Sequence, residues 1–90
     1  MRSLYVDVTF DFDDQFLQEK EIFLDYLSSE QWINLESDRN WRIGFTKGII
    51  PQDKLDIIKK DLEIASKISK IKAVDYAIIL NDAFYFDSIN

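Results

Sequence analysis

The chain has 90 residues, of which 47% are hydrophobic, and its formal net charge is −6. This length and apolar content predict a single domain spanning residues 1–90. Cysteine and histidine are both absent, which excludes disulfides, thiolate metal sites, thiol nucleophiles and Ser-His-Asp triads and makes an enzyme less expected. The acidic surplus argues against direct binding of nucleic acid, because phosphate neutralisation needs clustered Lys and Arg.

Targeting and cofactor signals are not recognisable in the sequence. No apolar run approaches the roughly 20 residues that cross a bilayer, and Met1-Arg2-Ser3 leads into alternating sequence instead of a signal-peptide core. Gly44 and Gly48 are the only glycines, so there is no glycine-rich phosphate loop. We therefore expect a cytoplasmic protein with no cofactor and no membrane partner.

Apolar and polar residues alternate at the beginning of the chain. The apolar set comprises Leu4, Val6, Val8, Phe10 and Phe12. A period of two places such a set on one buried face of a β-strand and the intervening side chains on the other face. Asp13 and Asp14 then predict the capped start of a first helix, which we expect to end near Ser28.

The next segment is typical of a β-hairpin. A loop of three residues, 38–40, is the best fit. It sets Leu35 opposite Ile43 on the apolar face. On the other face it pairs Glu36 with Arg42, which have opposite charges.

A second helix is predicted from Pro51, which suits a first helical turn, to about Lys70. Its apolar residues form two stripes, more than contact with one sheet requires. The first helix has its own secondary pair, Ile22 and Tyr26. We favour two helices side by side on one face of a sheet, the alternative being a groove that binds a partner.

The C-terminal sequence predicts another hairpin, with a first strand at 74–80 and a turn at Asn81-Asp82. A two-residue turn and a three-residue loop are both compatible with it. The longer loop aligns Phe84 and Phe86 with the apolar side of the preceding strand, and we favour that register. The element order then predicts an α+β, ferredoxin-like βαββαβ fold with an extra C-terminal strand and two helices on one face of an antiparallel sheet.

This plan leaves one face of the sheet without helices. The candidate partner-binding residues expected there are Tyr5, Asp7, Asp11, Asp75, Tyr85 and Asp87. Tyrosine supplies rigid contact area and carboxylates attract basic groups, so the face predicts binding of a basic protein. An ordinary solvated sheet face is the alternative.

Three carboxylates cluster where the first strand ends. Asp11, Asp13 and Asp14 carry the oxygen ligands that a magnesium ion prefers, but helix capping fully explains Asp13 or Asp14 and is the favoured interpretation. The segment YVDVTFDFDD resembles the opening of the CRISPR-associated and VapD-type ferredoxin-fold ribonucleases, and GhoS-type antitoxins are similar in plan. The resemblance implies metal-dependent cleavage of RNA by a homodimer, with Asp11 as the matching catalytic position.

Three hypotheses follow. The leading one is an inhibitor of immunity, antitoxin or phage-encoded type that occupies a basic nuclease or nucleic-acid-handling partner, with no catalytic residue and no metal of its own. The alternative is a metal-dependent endoribonuclease that uses Asp11. The third is a homodimer that buries Tyr5, Trp32, Ile79 and Tyr85 against a second copy.

Overall fold

The computed structural model describes residues 4–90, so Met1-Arg2-Ser3 lies outside the described part of the chain. Within it the elements are β1 (Tyr5–Asp11), α1 (Leu17–Ser29), β2 (Ile33–Asn34), β3 (Asn40–Gly44), α2 (Pro51–Ser69), β4 (Val74–Leu80) and β5 (Ala83–Ile89). A short 3-10 helix, Asp14–Phe16, leads into α1.

The five strands form one antiparallel sheet in the order β2-β3-β1-β4-β5. β1 lies at the centre, between β3 and β4, and the helices contact each other on one face. This confirms the predicted α+β, ferredoxin-like architecture with an extra strand beyond β4. The contact between the helices leaves Ile57 and Ile68 about half exposed, at 41% and 54%.

The helix-facing side of β1 forms the middle of the core, as its alternation predicted. Val6, Val8 and Phe10 are completely buried. The Phe10 ring meets the Phe23 ring of α1 edge to face, with centroids 5.5 Å apart, an arrangement that aromatic pairs favour. Other fully buried residues from the surrounding elements are Leu27, Ile58, Val74 and Ile78.

α2 begins and ends within about a residue of the predicted positions, and α1 ends at Ser29, one residue beyond its predicted end, but α1 itself begins only at Leu17 because a 3-10 turn follows the predicted cap. The Asp13 carboxylate accepts a hydrogen bond from the Gln15 amide at 2.9 Å and so caps the 3-10 turn. Pro51 occupies the first turn of α2, and Lys70 ends that helix in a left-handed conformation (φ 62°). No helix within residues 4–90 combines the length and the apolar composition of a membrane-spanning segment.

The predicted register of the β2–β3 hairpin was wrong. Ile33 lies opposite Arg42, and the Leu35 amide donates to the Asn40 carbonyl at 2.9 Å, so the loop is longer than residues 38–40. The cause is Trp32, which is 4% exposed and whose indole N–H donates to Asp61 of α2 at 3.0 Å. Because neighbouring residues of a strand point to opposite faces, burying Trp32 sends Ile33 to the side without helices.

The favoured register of the C-terminal hairpin was also wrong, and the two-residue turn is the one observed. Leu80 lies opposite Ala83. Asn81 and Asp82 both have positive φ, 51° and 66°, as a type I′ turn requires, and that turn matches the twist of paired strands. The predicted register was chosen to align apolar residues across the hairpin, whereas the observed register follows from the conformation of the turn residues Asn81 and Asp82.

Candidate functional site

We refer to the side of the sheet without helices as the open face. Residues directly opposite in a sheet point to the same side, so the strand registers define its members. They are Tyr5, Asp7, Thr9 and Asp11 of β1, Ile33 of β2, Asn40 and Arg42 of β3, Asp75, Ala77 and Ile79 of β4, and Phe84, Phe86 and Ser88 of β5.

Four of the six candidate partner-binding residues lie on the open face: Tyr5, Asp7, Asp11 and Asp75. Tyr85 and Asp87 were expected there but lie on the helix side. Asp87 is opposite the buried Tyr76 and contacts Lys59 of α2 at 3.7 Å. Burial, and then the Asp87 carboxylate, raise the pKa of Tyr76 above its ordinary value.

The homodimer surface of the third hypothesis is divided in the same way. Tyr5 and Ile79 lie on the open face, whereas Tyr85 lies on the helix side. Trp32 is buried in the core. These four side chains therefore do not form one surface.

Two phenylalanines that were predicted to align with the apolar, helix-facing side of β4 lie on the open face instead. Phe84 pairs with Ile79 and Phe86 pairs with Ala77. They are 60% and 77% exposed, and their rings stack with centroids 6.2 Å apart and an interplanar angle of 11°. The signal that locates them is the Asn81-Asp82 turn, whose length decides which side of β5 faces the helices.

The Asp7 carboxylate, in the middle of the open face, binds Arg42. The Nε and Nη2 atoms of Arg42 donate to the two carboxylate oxygens at 2.7 and 3.3 Å. The guanidinium lies 5.6 Å from the centroid of the Tyr5 ring, a cation–π arrangement. The hydrogen bond to Asp7, and then the charge of that carboxylate, raise the pKa of Arg42 above its ordinary value. The centre of the face is therefore close to neutral.

One end of the open face is acidic. Asp11 and Asp75 are directly opposite each other on β1 and β4. Arg39 donates to the Phe10 carbonyl at 3.1 Å and to Asp11 at 3.4 Å. With Phe86, these groups line a shallow depression of about 500 Å³, which offers an apolar wall beside two carboxylates.

The strand-end carboxylates are not brought together as a ligand set. Asp11 lies on the open face beside Arg39, while Asp13 caps the 3-10 turn and Asp14 begins it. Within residues 4–90 no group of three or more acidic side chains is placed to hold a metal ion. The Asp13 side chain caps the 3-10 turn, which agrees with the capping interpretation of this residue.

Comparison of the chain with protein-family models, with curated proteins and with solved structures found no match. The resemblance of the first strand to ferredoxin-fold ribonucleases stays a prediction.

Proposed function

We propose that this chain is a small protein-binding module of inhibitor type, which occupies a basic nuclease or nucleic-acid-handling partner through its open face. The observation that carries the proposal is the exposed Phe84–Phe86 stack beside Ile79. Aromatic side chains contribute most of the binding energy in many protein interfaces, because they bury a large apolar area at low entropic cost. An exposed apolar patch of this kind is typical of an interaction surface.

The charges of the open face favour a basic partner. Asp75 has no ion pair within the described part of the chain, and Asp11 has only the exposed Arg39. A lysine or arginine of the partner would meet these carboxylates while an apolar side chain covers Phe86. The net charge of −6 also attracts a basic protein at long range, which raises the association rate.

Occupation of a partner is the function that these groups support. The open face offers aromatic area, two carboxylates and a neutralised Asp7–Arg42 pair. Histidine and cysteine, the commonest general base and thiol nucleophile, are absent from the chain. Immunity proteins, antitoxins and phage-encoded inhibitors act by such occupation, and we place this chain with them in function.

A matched pair of variants tests the proposal. The parent protein serves as bait in crosslinking, and the captured partner is purified and titrated calorimetrically with the parent, Phe84→Ala and Tyr85→Ala. We expect Phe84→Ala to raise Kd about tenfold or more and Tyr85→Ala, on the other side of the same strand, to change Kd less than about twofold. Equal effects of the two variants would contradict binding through the open face.

A second pair of variants tests the charge argument. Among the predicted partner-binding carboxylates, Asp7 is held by Arg42 and Asp87 faces α2. The informative variant is therefore Asp75→Lys, with Asp87→Lys as its control. We expect only Asp75→Lys to slow association, and the difference to shrink as salt is added. An equal effect of both would show that net charge alone governs association.

A further inference from the structure

β5 is an edge strand of seven residues with a free side, whereas the strand at the opposite edge of the sheet, β2, has two residues. In a hairpin with a two-residue turn, the residues that flank the turn exchange their backbone hydrogen bonds, and every second residue then does the same. Ala83, Tyr85, Asp87 and Ile89 therefore bond to β4. The N–H and C=O groups of Phe84, Phe86 and Ser88 point away from the sheet.

This edge has little of the protection that edge strands usually carry. Proline, lysine and arginine are absent from β5, and its register with β4 is continuous, so it has no bulge. Its single charged residue, Asp87, contacts Lys59. One outward amide, that of Ser88, is bound by the Asp87 carboxylate at 2.8 Å. Within residues 4–90 no comparable bond covers the outward groups of Phe84 and Phe86.

We propose that β5 pairs with β5 of a second copy of this chain, antiparallel and about a two-fold axis at Phe86. Phe86 then lies opposite Phe86 of the second copy, and Phe84 opposite Ser88. The outward groups of these residues form about six backbone hydrogen bonds across the interface. The Ser88 amide exchanges its bond to Asp87 for one to the Phe84 carbonyl of the second copy.

The side chains of β5 are self-complementary in this register. On the helix side, Tyr85 lies opposite Asp87 of the second copy, so hydroxyl meets carboxylate, and Ala83 lies opposite Ile89. No two like charges face each other. Shifting the register by two residues loses about two of the hydrogen bonds. Shifting it by one residue would place residues with outward backbone groups opposite residues whose backbone groups already bond to β4. This match of β5 to itself favours a second copy over an unrelated extended peptide.

Pairing would extend the sheet to ten strands with all four helices on one side. The open faces of the two copies then become continuous, and Phe84 and Phe86 of both copies form one aromatic row across the junction. Phe86, 77% exposed in the single chain, gains a neighbour on its uncovered side. This inference concerns the edge of the sheet and does not rest on the proposed function.

Charge substitutions at adjacent positions of β5 test both the pairing and its register. Sedimentation velocity from a few μM to several hundred μM should show a monomer–dimer equilibrium for the parent. Phe86→Lys places two ammonium groups directly across the axis and should raise the dimer Kd at least tenfold. Tyr85→Lys places lysine opposite Asp87 of the second copy, twice by symmetry, and should lower the dimer Kd about two- to tenfold.

The outcomes separate the alternatives. A parent that stays monomeric throughout would overturn the pairing and leave the edge open to an extended segment of another protein. Dimers that tolerate Phe86→Lys would also overturn it, because another surface would then hold the copies together. A Tyr85→Lys variant that dimerises less well would overturn the register. In a register shifted by two residues, position 85 of one copy would lie opposite position 85 of the other, and the two lysines would repel each other. A parent protein that dimerises but captures no basic partner would refute only the proposed function.

Amide exchange of the parent protein gives a readout that needs no variant. We expect the amide protons of Phe84 and Phe86 to become protected from exchange as protein concentration rises. Those of Tyr85 and Asp87, bonded to β4, should be protected at every concentration. Fast exchange of Phe84 and Phe86 at all concentrations would overturn the proposal even if Phe86→Lys failed to fold.

Discussion

The stability of Phe86→Ala distinguishes a binding residue from a core residue. Phe86 is 77% exposed, so less than a quarter of its surface is covered in the single chain. Full burial of such a side chain is worth about 3 kcal/mol, and the covered part therefore about 0.7 kcal/mol. The exposed stack with Phe84 adds about 0.5 kcal/mol. We expect Phe86→Ala to lower the free energy of unfolding by about 1 kcal/mol.

The internal standard is Phe10→Ala. Phe10 is completely buried against Phe23, and truncating such a residue costs about 3–5 kcal/mol. Urea unfolding followed by tryptophan fluorescence, at low-micromolar protein and compared as midpoints, measures both losses. A loss of 3 kcal/mol or more for Phe86→Ala would mean that the helices cover this residue. The assignment of Phe84 and Phe86 to the open face would then be refuted.

Three further predictions concern other parts of the molecule. The raised pKa of Tyr76 means that the folded state holds the phenol proton more tightly than the unfolded state; this stabilisation is complete below about pH 10, the unfolded pKa, and is lost as pH rises through the folded pKa. Tyr76→Phe should therefore weaken the loss of stability that urea midpoints show as pH rises above about 10. Asp82→Gly relieves a left-handed residue (φ 66°) and should raise Tm by about 2–4 °C in calorimetry, with no gain contradicting the turn assignment. Asp11→Ala and the parent should hydrolyse RNA with magnesium at the same background rate, and a magnesium-dependent activity lost in the variant would favour the ribonuclease alternative.

The fold was predictable because its main elements are determined by local patterns. The alternation around Val6 and Val8 requires one strand face to be buried, and Pro51 marks the beginning of α2. These patterns depend on neighbours in sequence, so the chain itself carries them. Element order then limits the topology to few choices.

The hairpin registers were not predictable in the same way, because each depends on something outside the strand. In β2 the deciding residue is Trp32, whose hydrogen bond to Asp61 exists only when α2 is in place. In β5 it is the conformation of Asn81 and Asp82, which the sequence permits without requiring. Both errors came from matching apolar residues across a hairpin.

The candidate site was predictable only in part, because the alternation within a strand is local in sequence whereas the register between strands is not. Alternation alone placed Asp7 and Asp11 on the open face. Their pairing with Arg42 and Arg39 depends on the β1–β3 register, which joins residues about 30 positions apart. The predicted acidic face is therefore partly neutralised, and the register of β5 adds Phe84 and Phe86 to it.

The two proposals use different atoms of the same strand, and this makes their combination testable. A partner protein would cover the Phe84 and Phe86 rings, whereas a second copy would use their outward N–H and C=O groups. Because backbone groups lie in the plane of the sheet and side chains project from it, one strand accommodates both contacts. Two open faces would then adjoin across the paired strands, so we expect each dimer to bind two partner molecules. A complex of one dimer with one partner, measured by light scattering, would instead mean that the partner sits across the two-fold axis.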